Sequence, residues 1–175
     1  GDTVFAKDST GEFSVSGTDA KVTLQNVSFA KEATGKVNVQ NGSVTIDGTL
    51  TANAGSLTVN GATAAATVNG KVAAAGSTKA GLVVLTNGTL TLGSAADIGT
   101  EANVVTLTKG TLEATSALLT ANLATGTAEE QKTKINKALN ITAAAKNDVS
   151  VTVTDEKLSS DQIIDLQKRI EANAS

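Results

Sequence analysis

The sequence predicts a mainly β fold, built as a solenoid of short strands, with a small helix–strand–helix region at its C-terminal end. Three observations lead there. Apolar residues alternate with polar ones over short runs, turn-forming pairs punctuate those runs, and a loose repeat passes through most of the first two thirds of the chain.

The alternation extends from residue 3 to about residue 120. Val37 and Val39, Val44 and Ile46, Leu57 and Val59, Leu90 and Leu92, and Val105 and Leu107 are each separated by one polar or small residue and bounded by Gly, Asn or Asp. Period two over a few residues, cut off in this way, reads as strands with one buried face. The turn signal is equally regular. Asn41-Gly42, Asn60-Gly61, Asn69-Gly70, Asn87-Gly88 and Asp47-Gly48 join residue types that accept positive φ at little cost.

The repeat is seen in Gly42-Ser43-Val44-Thr45-Ile46, Gly48-Thr49-Leu50-Thr51-Ala52, Gly55-Ser56-Leu57-Thr58-Val59, Gly88-Thr89-Leu90-Thr91-Leu92 and Gly110-Thr111-Leu112-Glu113-Ala114. Each places a glycine, a hydroxyl and an aliphatic residue in the same order. Two geometries use such a unit. Coils of a solenoid would stack each aliphatic residue on its equivalent in the next coil, whereas a β-sandwich or meander would spend the Asn-Gly pairs on hairpins. The aliphatic runs are short for sandwich strands, which favours the solenoid. Irregular spacing between Ala62 and Ala80 leaves the alternative open.

These features divide the chain into a β-rich domain, 1–125, and a helix–strand–helix region, 126–175. Thr127 and Glu130 form a capping box, and Ile135, Ala138 and Leu139 follow at helical spacing, predicting a helix of about 12 residues. Val149, Val151 and Val153 alternate strictly and predict a strand. Ser159 and Gln162 make a second capping box, Leu158 can staple to Ile163, and Ile163, Leu166 and Ile170 give the last helix its buried face. Lys168 and Arg169 complement the dipole at its end.

Composition narrows the chemistry. The chain of 175 residues contains no Cys, His, Met, Trp, Tyr or Pro, and its only aromatics are Phe5, Phe13 and Phe29. Lack of His removes the usual general base near neutrality, and lack of both His and Cys removes imidazole and thiolate metal sites. A formal net charge of −3, with the charges dispersed, offers no basic patch for nucleic acid. The apolar run Gly81-Leu82-Val83-Val84-Leu85 is far too short to span a bilayer. Since the chain begins at Gly1 and not Met, a mature form or an excised fragment is expected. A chain without thiols or thioethers also resists oxidation, which suits an exposed, long-lived location.

One segment carries a resemblance. Val149-Ser150-Val151-Thr152-Val153-Thr154-Asp155-Glu156-Lys157-Leu158-Ser159-Ser160-Asp161-Gln162-Ile163-Ile164-Asp165-Leu166 resembles a strand, Asp, Leu-Ser/Thr-x-x-Gln, helix unit of large bacterial surface-layer (S-layer) proteins and related secreted adhesins. The Gly-Thr-Leu-Thr runs upstream are similar to those proteins and to autotransporter passenger β-helices. The resemblance implies a structural, self-assembling component of a bacterial cell-surface layer or extracellular filament, with copies of itself as partners. An adhesin or fibre segment binding a host surface or glycan is the alternative. The Gly-Gly-x-Gly-x-Asp calcium nonapeptides that often accompany such proteins are absent.

Candidate sites are few. Asp97, Glu101 and Asn103, with Gly99 between them, would offer oxygen ligands for calcium, although only two of the three are charged and calcium takes six to eight oxygens. No other cofactor, no catalytic residue and no membrane insertion is expected. Sequons at Asn26, Asn41, Asn87 and Asn140 arise readily in a chain this rich in Asn, Ser and Thr. Ice binding through Thr ladders would require Thr-x-Thr on one flat face at a fixed coil length, and the spacing in the sequence is uneven. For assembly, the adjacent apolar residues Val4 and Phe5 lie in a segment with no capping element and are expected to contact a neighbouring copy.

Overall fold

The structure, a computed structural model, describes residues 1–76, 80–98, 104–115, 118, 139–141 and 148–155. Within them every strand pair is parallel. Parallel neighbours cannot be joined by a tight hairpin, because the chain must travel back to the start of the next strand. The fold is therefore a β-solenoid, and the sandwich alternative is excluded.

Three ladders form its sides. The first holds β2 (Glu12–Val15), β5 (Lys36–Val39), the opening residues of β8 (Leu57–Val68) and of β10 (Val83–Leu92), then β11 (Val105–Leu107) and β13 (Leu139–Ile141). The second holds β3 (Lys21–Leu24), β6 (Ser43–Ile46), the closing residues of β8 and β10, then β12 (Gly110–Ala114) and β14 (Val149–Val153). On the third side lie β1 (Thr3–Phe5), β4 (Val27–Phe29), β7 (Leu50–Ala52) and β9 (Val72–Ala74), continued by a bridge from Lys71 to Asp97.

The alternation in the sequence becomes columns in the core. Val22, Val44, Ala66, Leu90, Leu112 and Val151 occupy successive ladder positions on the second side. On the first side, Val15, Val39, Val59, Leu85 and Leu107 do the same. All of these except Val22 are buried. Aliphatic side chains stacked at ladder spacing exclude water along the whole axis, so each coil needs its neighbours to bury its inner face. Phe5 and Phe29 supply the aromatic contact, with ring centroids 4.2 Å apart and planes 12° from parallel.

The Asn-Gly pairs sit at coil corners. Asn41-Gly42 turns the chain from β5 into β6, while Asn60-Gly61 and Asn87-Gly88 turn it within β8 and β10, where the pairing slips its register around Asn87. Side-chain amides tie one corner to the next. Asn26 donates to Asp2 Oδ1 at 2.9 Å and accepts from the Thr49 amide at 2.9 Å, and Asn69 donates to Asp47 Oδ1 at 2.9 Å.

Asn53 is the strongest of these ties. Its Nδ2 donates to the carbonyls of Lys31 at 2.9 Å and Ala33 at 2.8 Å, and its Oδ1 accepts from the Ala54 amide at 2.9 Å. Asn53→Ala is expected to cost about 2 kcal/mol, because two backbone carbonyls and one N–H lose their partner at once. Urea unfolding of the variant checks this, and a midpoint equal to that of the parent chain would show that water replaces the amide without loss.

At the C-terminal end the outcome is mixed. Val149–Val153 is the expected strand, and it extends the second ladder beyond residue 125. Leu139, read from the sequence as part of a helix face, instead opens β13, whose backbone pairs with β11. Helical spacing and a short strand are indistinguishable when only Ile135, Ala138 and Leu139 define the pattern. The rest of that helix, and the helix expected from Ser159 to Ile170, lie outside the described residues.

Candidate functional site

Edges of the first coil are the natural place to look for an interaction, since an unpaired parallel strand exposes a row of backbone donors and acceptors. Among the described residues, β1 pairs only with β4, β2 only with β5 and β3 only with β6. Among the described residues, the N-terminal strand of each of the three sides is therefore paired along one edge only. The core there is incompletely closed, because Phe13 and Val22 are only partly buried against it.

The structure separates the two residues proposed for assembly. Val4 is 70% exposed, the only large apolar side chain so exposed among the described residues. Phe5 faces the other way and is buried, stacked on Phe29. Strand alternation dictates this, as neighbours in a strand must point to opposite faces. Deleting residues 1 to 6 would therefore uncover Phe29 as well as shorten the edge, and stability and assembly would change together.

A polar cluster lies beside the same edge. The Glu12 carboxylate accepts from Ser14 Oγ and from Asn38 Nδ2 at 2.8 Å, and pairs with Lys36 Nζ at 3.3 Å. Asn38 is buried, and its Oδ1 has no hydrogen-bond partner among the described residues. The hydroxyl of Ser14, the amide of Asn38 and the ammonium of Lys36 together hold the Glu12 pKa below its ordinary value. A depressed carboxylate pKa adds stability above the unfolded-state pKa, and that stability is lost as pH falls through the folded-state value. The urea midpoint of the parent chain is expected to drop further between pH 6 and pH 3 than that of Glu12→Gln. Identical acid profiles would mean that the cluster contributes nothing. Its geometry ties β2 to β5, and that is the role its contacts support.

The outer face of the second ladder carries a feature the sequence reading missed. Thr23, Thr45, Thr67 and Thr91 occupy successive register positions, followed by Glu113 and Thr152. Two residues before each lie Lys21, Ser43, Ala65, Thr89, Thr111 and Ser150, also in register. Thr91 Oγ1 donates to Glu113 Oε2 at 2.8 Å, and Thr111 and Ser150 share a hydrogen bond at 3.0 Å. Uneven spacing in the sequence is absorbed at the corners. The step from Ala66 to Leu90 is 24 residues and the steps before and after it are 22, yet the ladder on the face stays unbroken.

Of the calcium candidate, only Asp97 is among the described residues. Asp97 lies on the third side, where its carbonyl accepts the Val72 amide at 2.8 Å, while Glu101 and Asn103 fall outside the described residues. Among the described residues no group of three or more His, Cys, Asp or Glu converges on a point. No described helix is long and apolar enough to cross a membrane. No family model, no curated protein and no solved structure matches the chain.

Proposed function

We propose that the chain is a structural, non-catalytic, self-assembling component of a bacterial cell-surface layer or extracellular filament. The observation that carries this reading is the open N-terminal edge, where β1, β2 and β3 each have a partner on one side only among the described residues. A solenoid that stands alone needs a polar cap at each end, and one that assembles does not. The resemblance of residues 149–166 to surface-layer units points to the same setting, outside the cell and among copies of itself. Light scattering across a concentration series tests it. Growth of scattering with concentration, lost when the chain is unfolded in urea, is expected, and a chain that stays monomeric throughout would remove the proposal.

A second reading has its own support. The hydroxyl array on the second side carries Lys21 and Glu113 as its only ionisable groups, which suits a face that meets a neutral, periodic polymer such as a glycan. In that case the chain is an adhesin or fibre segment, and a strictly monomeric form would bind on a glycan array. Binding without polymer formation would put this reading in place of the first.

A further inference from the structure

Of the three outer faces, the second repeats one side-chain chemistry from coil to coil. Ser43 and Thr45 on β6, Ala65 and Thr67 on β8, and Thr89 and Thr91 on β10 lie in two straight columns. The pairing irregularity of β10 ends before Thr89, so the columns run unbroken across these strands. None of these side chains is buried. The other two faces are mixed. The first carries the Glu12–Lys36 ion pair and then Val84, and on the third Val4, Ser28, Thr51 and Ala73 follow one another.

We propose that this hydroxyl face adsorbs to ice, an inference that rests on neither reading of function above. Unequal steps between coils argue against it in the sequence, but the ladder holds the spacing on the face constant. Neighbouring strands place like hydroxyls about 4.8 Å apart, and the two columns stand about 6.6 Å apart along each strand. The first distance is close to the short lattice repeat of hexagonal ice, and the second leaves a trough for a single file of water. Thr suits the role twice over. Its β-branched side chain is confined at χ1, and it sets a hydroxyl that bonds a lattice water beside a methyl that sheds its hydration on contact. Pairing on both edges holds β8 in place, so little conformational freedom is left to lose when the face meets a crystal. Charge only flanks the patch, with Lys21 on β3 and Glu113 on β12, where Glu113 accepts a hydrogen bond from Thr91 Oγ1. A neutral glycan would meet the same hydroxyls with no aromatic ring to stack on, because Phe5 and Phe29 are stacked in the core and Phe13 packs against it.

Ice growth in a solution of the full chain tests the adsorption. A seed crystal held just below its melting point is expected to stop growing and to take on facets, leaving a gap between the melting and growth temperatures. Thr67→Arg sets a long charged side chain in the middle of the patch and is expected to lose the gap, while Thr51→Arg, on the third side, keeps it. Ala65→Thr completes the first column and should widen the gap, a gain that loss of folding cannot imitate. Circular dichroism and the urea midpoint report the folding of each variant. Three results would overturn the proposal. A seed that grows in the parent chain as it does in buffer removes it, and binding on a glycan array alongside that result gives the face to the glycan reading. A folded Thr67→Arg variant with the full gap places the ice contact on another face. If Thr67→Arg does not fold, Ala65→Thr decides alone, and an unchanged or narrower gap in that variant rules the face out.

Discussion

Adding one methyl group at Gly88 is expected to destabilise the fold by about 3 kcal/mol or more, among the largest effects of any substitution this small. Gly88 turns the corner inside β10 at φ +104, and a Cβ there would lie 2.4 Å from the Ala64 carbonyl oxygen and 2.6 Å from that of Gly61. Both obstacles are backbone of the coil beneath, so no side-chain rotation relieves them. Relief requires the two coils to part, which breaks the ladder on either side of the corner. Gly55 separates the two costs. It has φ +67 but nothing within 4 Å of the added atom, so Gly55→Ala carries only the conformational term, about 1 to 2 kcal/mol. Urea unfolding of both variants gives the comparison. Equal losses would mean that the coils are not in contact at the Gly88 corner.

Leu85→Ala should be comparably damaging, at about 2 to 5 kcal/mol. Leu85 is fully buried in β10, between Val59 in the coil before and Leu107 in the coil after. Truncation leaves a void facing both neighbours, and the stacked column has no flexible side chain to fill it. Because a solenoid is stabilised by contacts between adjacent coils, a defect in a middle coil weakens two interfaces at once. Amide hydrogen exchange should then show lost protection in β8, β10 and β11 before β2 and β3. Val4→Ala, at the exposed face of β1, is expected to stay within about 0.5 kcal/mol of the parent. A uniform loss of protection along the chain would indicate a single cooperative unit.

Much of this was legible from local pattern. The pairs Val37 and Val39, Val44 and Ile46, Leu57 and Val59, Leu90 and Leu92, and Val105 and Leu107 all lie in strands with both members buried. The glycines after Asn mark corners because the chain must bend there in either a solenoid or a sandwich. That shared requirement is why the choice between the two was not decided locally. Parallel pairing is a contact between residues some 22 positions apart, and nothing within β6 states that its neighbour is β8 and not β7.

The same cause hid the hydroxyl column. Thr23, Thr45, Thr67, Thr89 and Thr111 repeat every 22 residues in the sequence, but the structure pairs Thr67 with Thr91 and not with Thr89. The step from Ala66 to Leu90 is two residues longer than the steps on either side, a difference that only the stacked coils place. Phe5 and Leu139 show the limit from the other side. The lack of a cap in its segment points Phe5 toward an interface, while its burial depends on Phe29, one coil away. Leu139 fits a helix face by spacing, and its strand pairing depends on β11.

Fibre diffraction from oriented polymer tests the central claim, a parallel solenoid that grows along its own axis. Strands in such a polymer run across the fibre, so the reflection from their separation, at about 4.8 Å, is predicted on the meridian. The same reflection on the equator, or a polymer that gives no ordered strand spacing, would contradict the account.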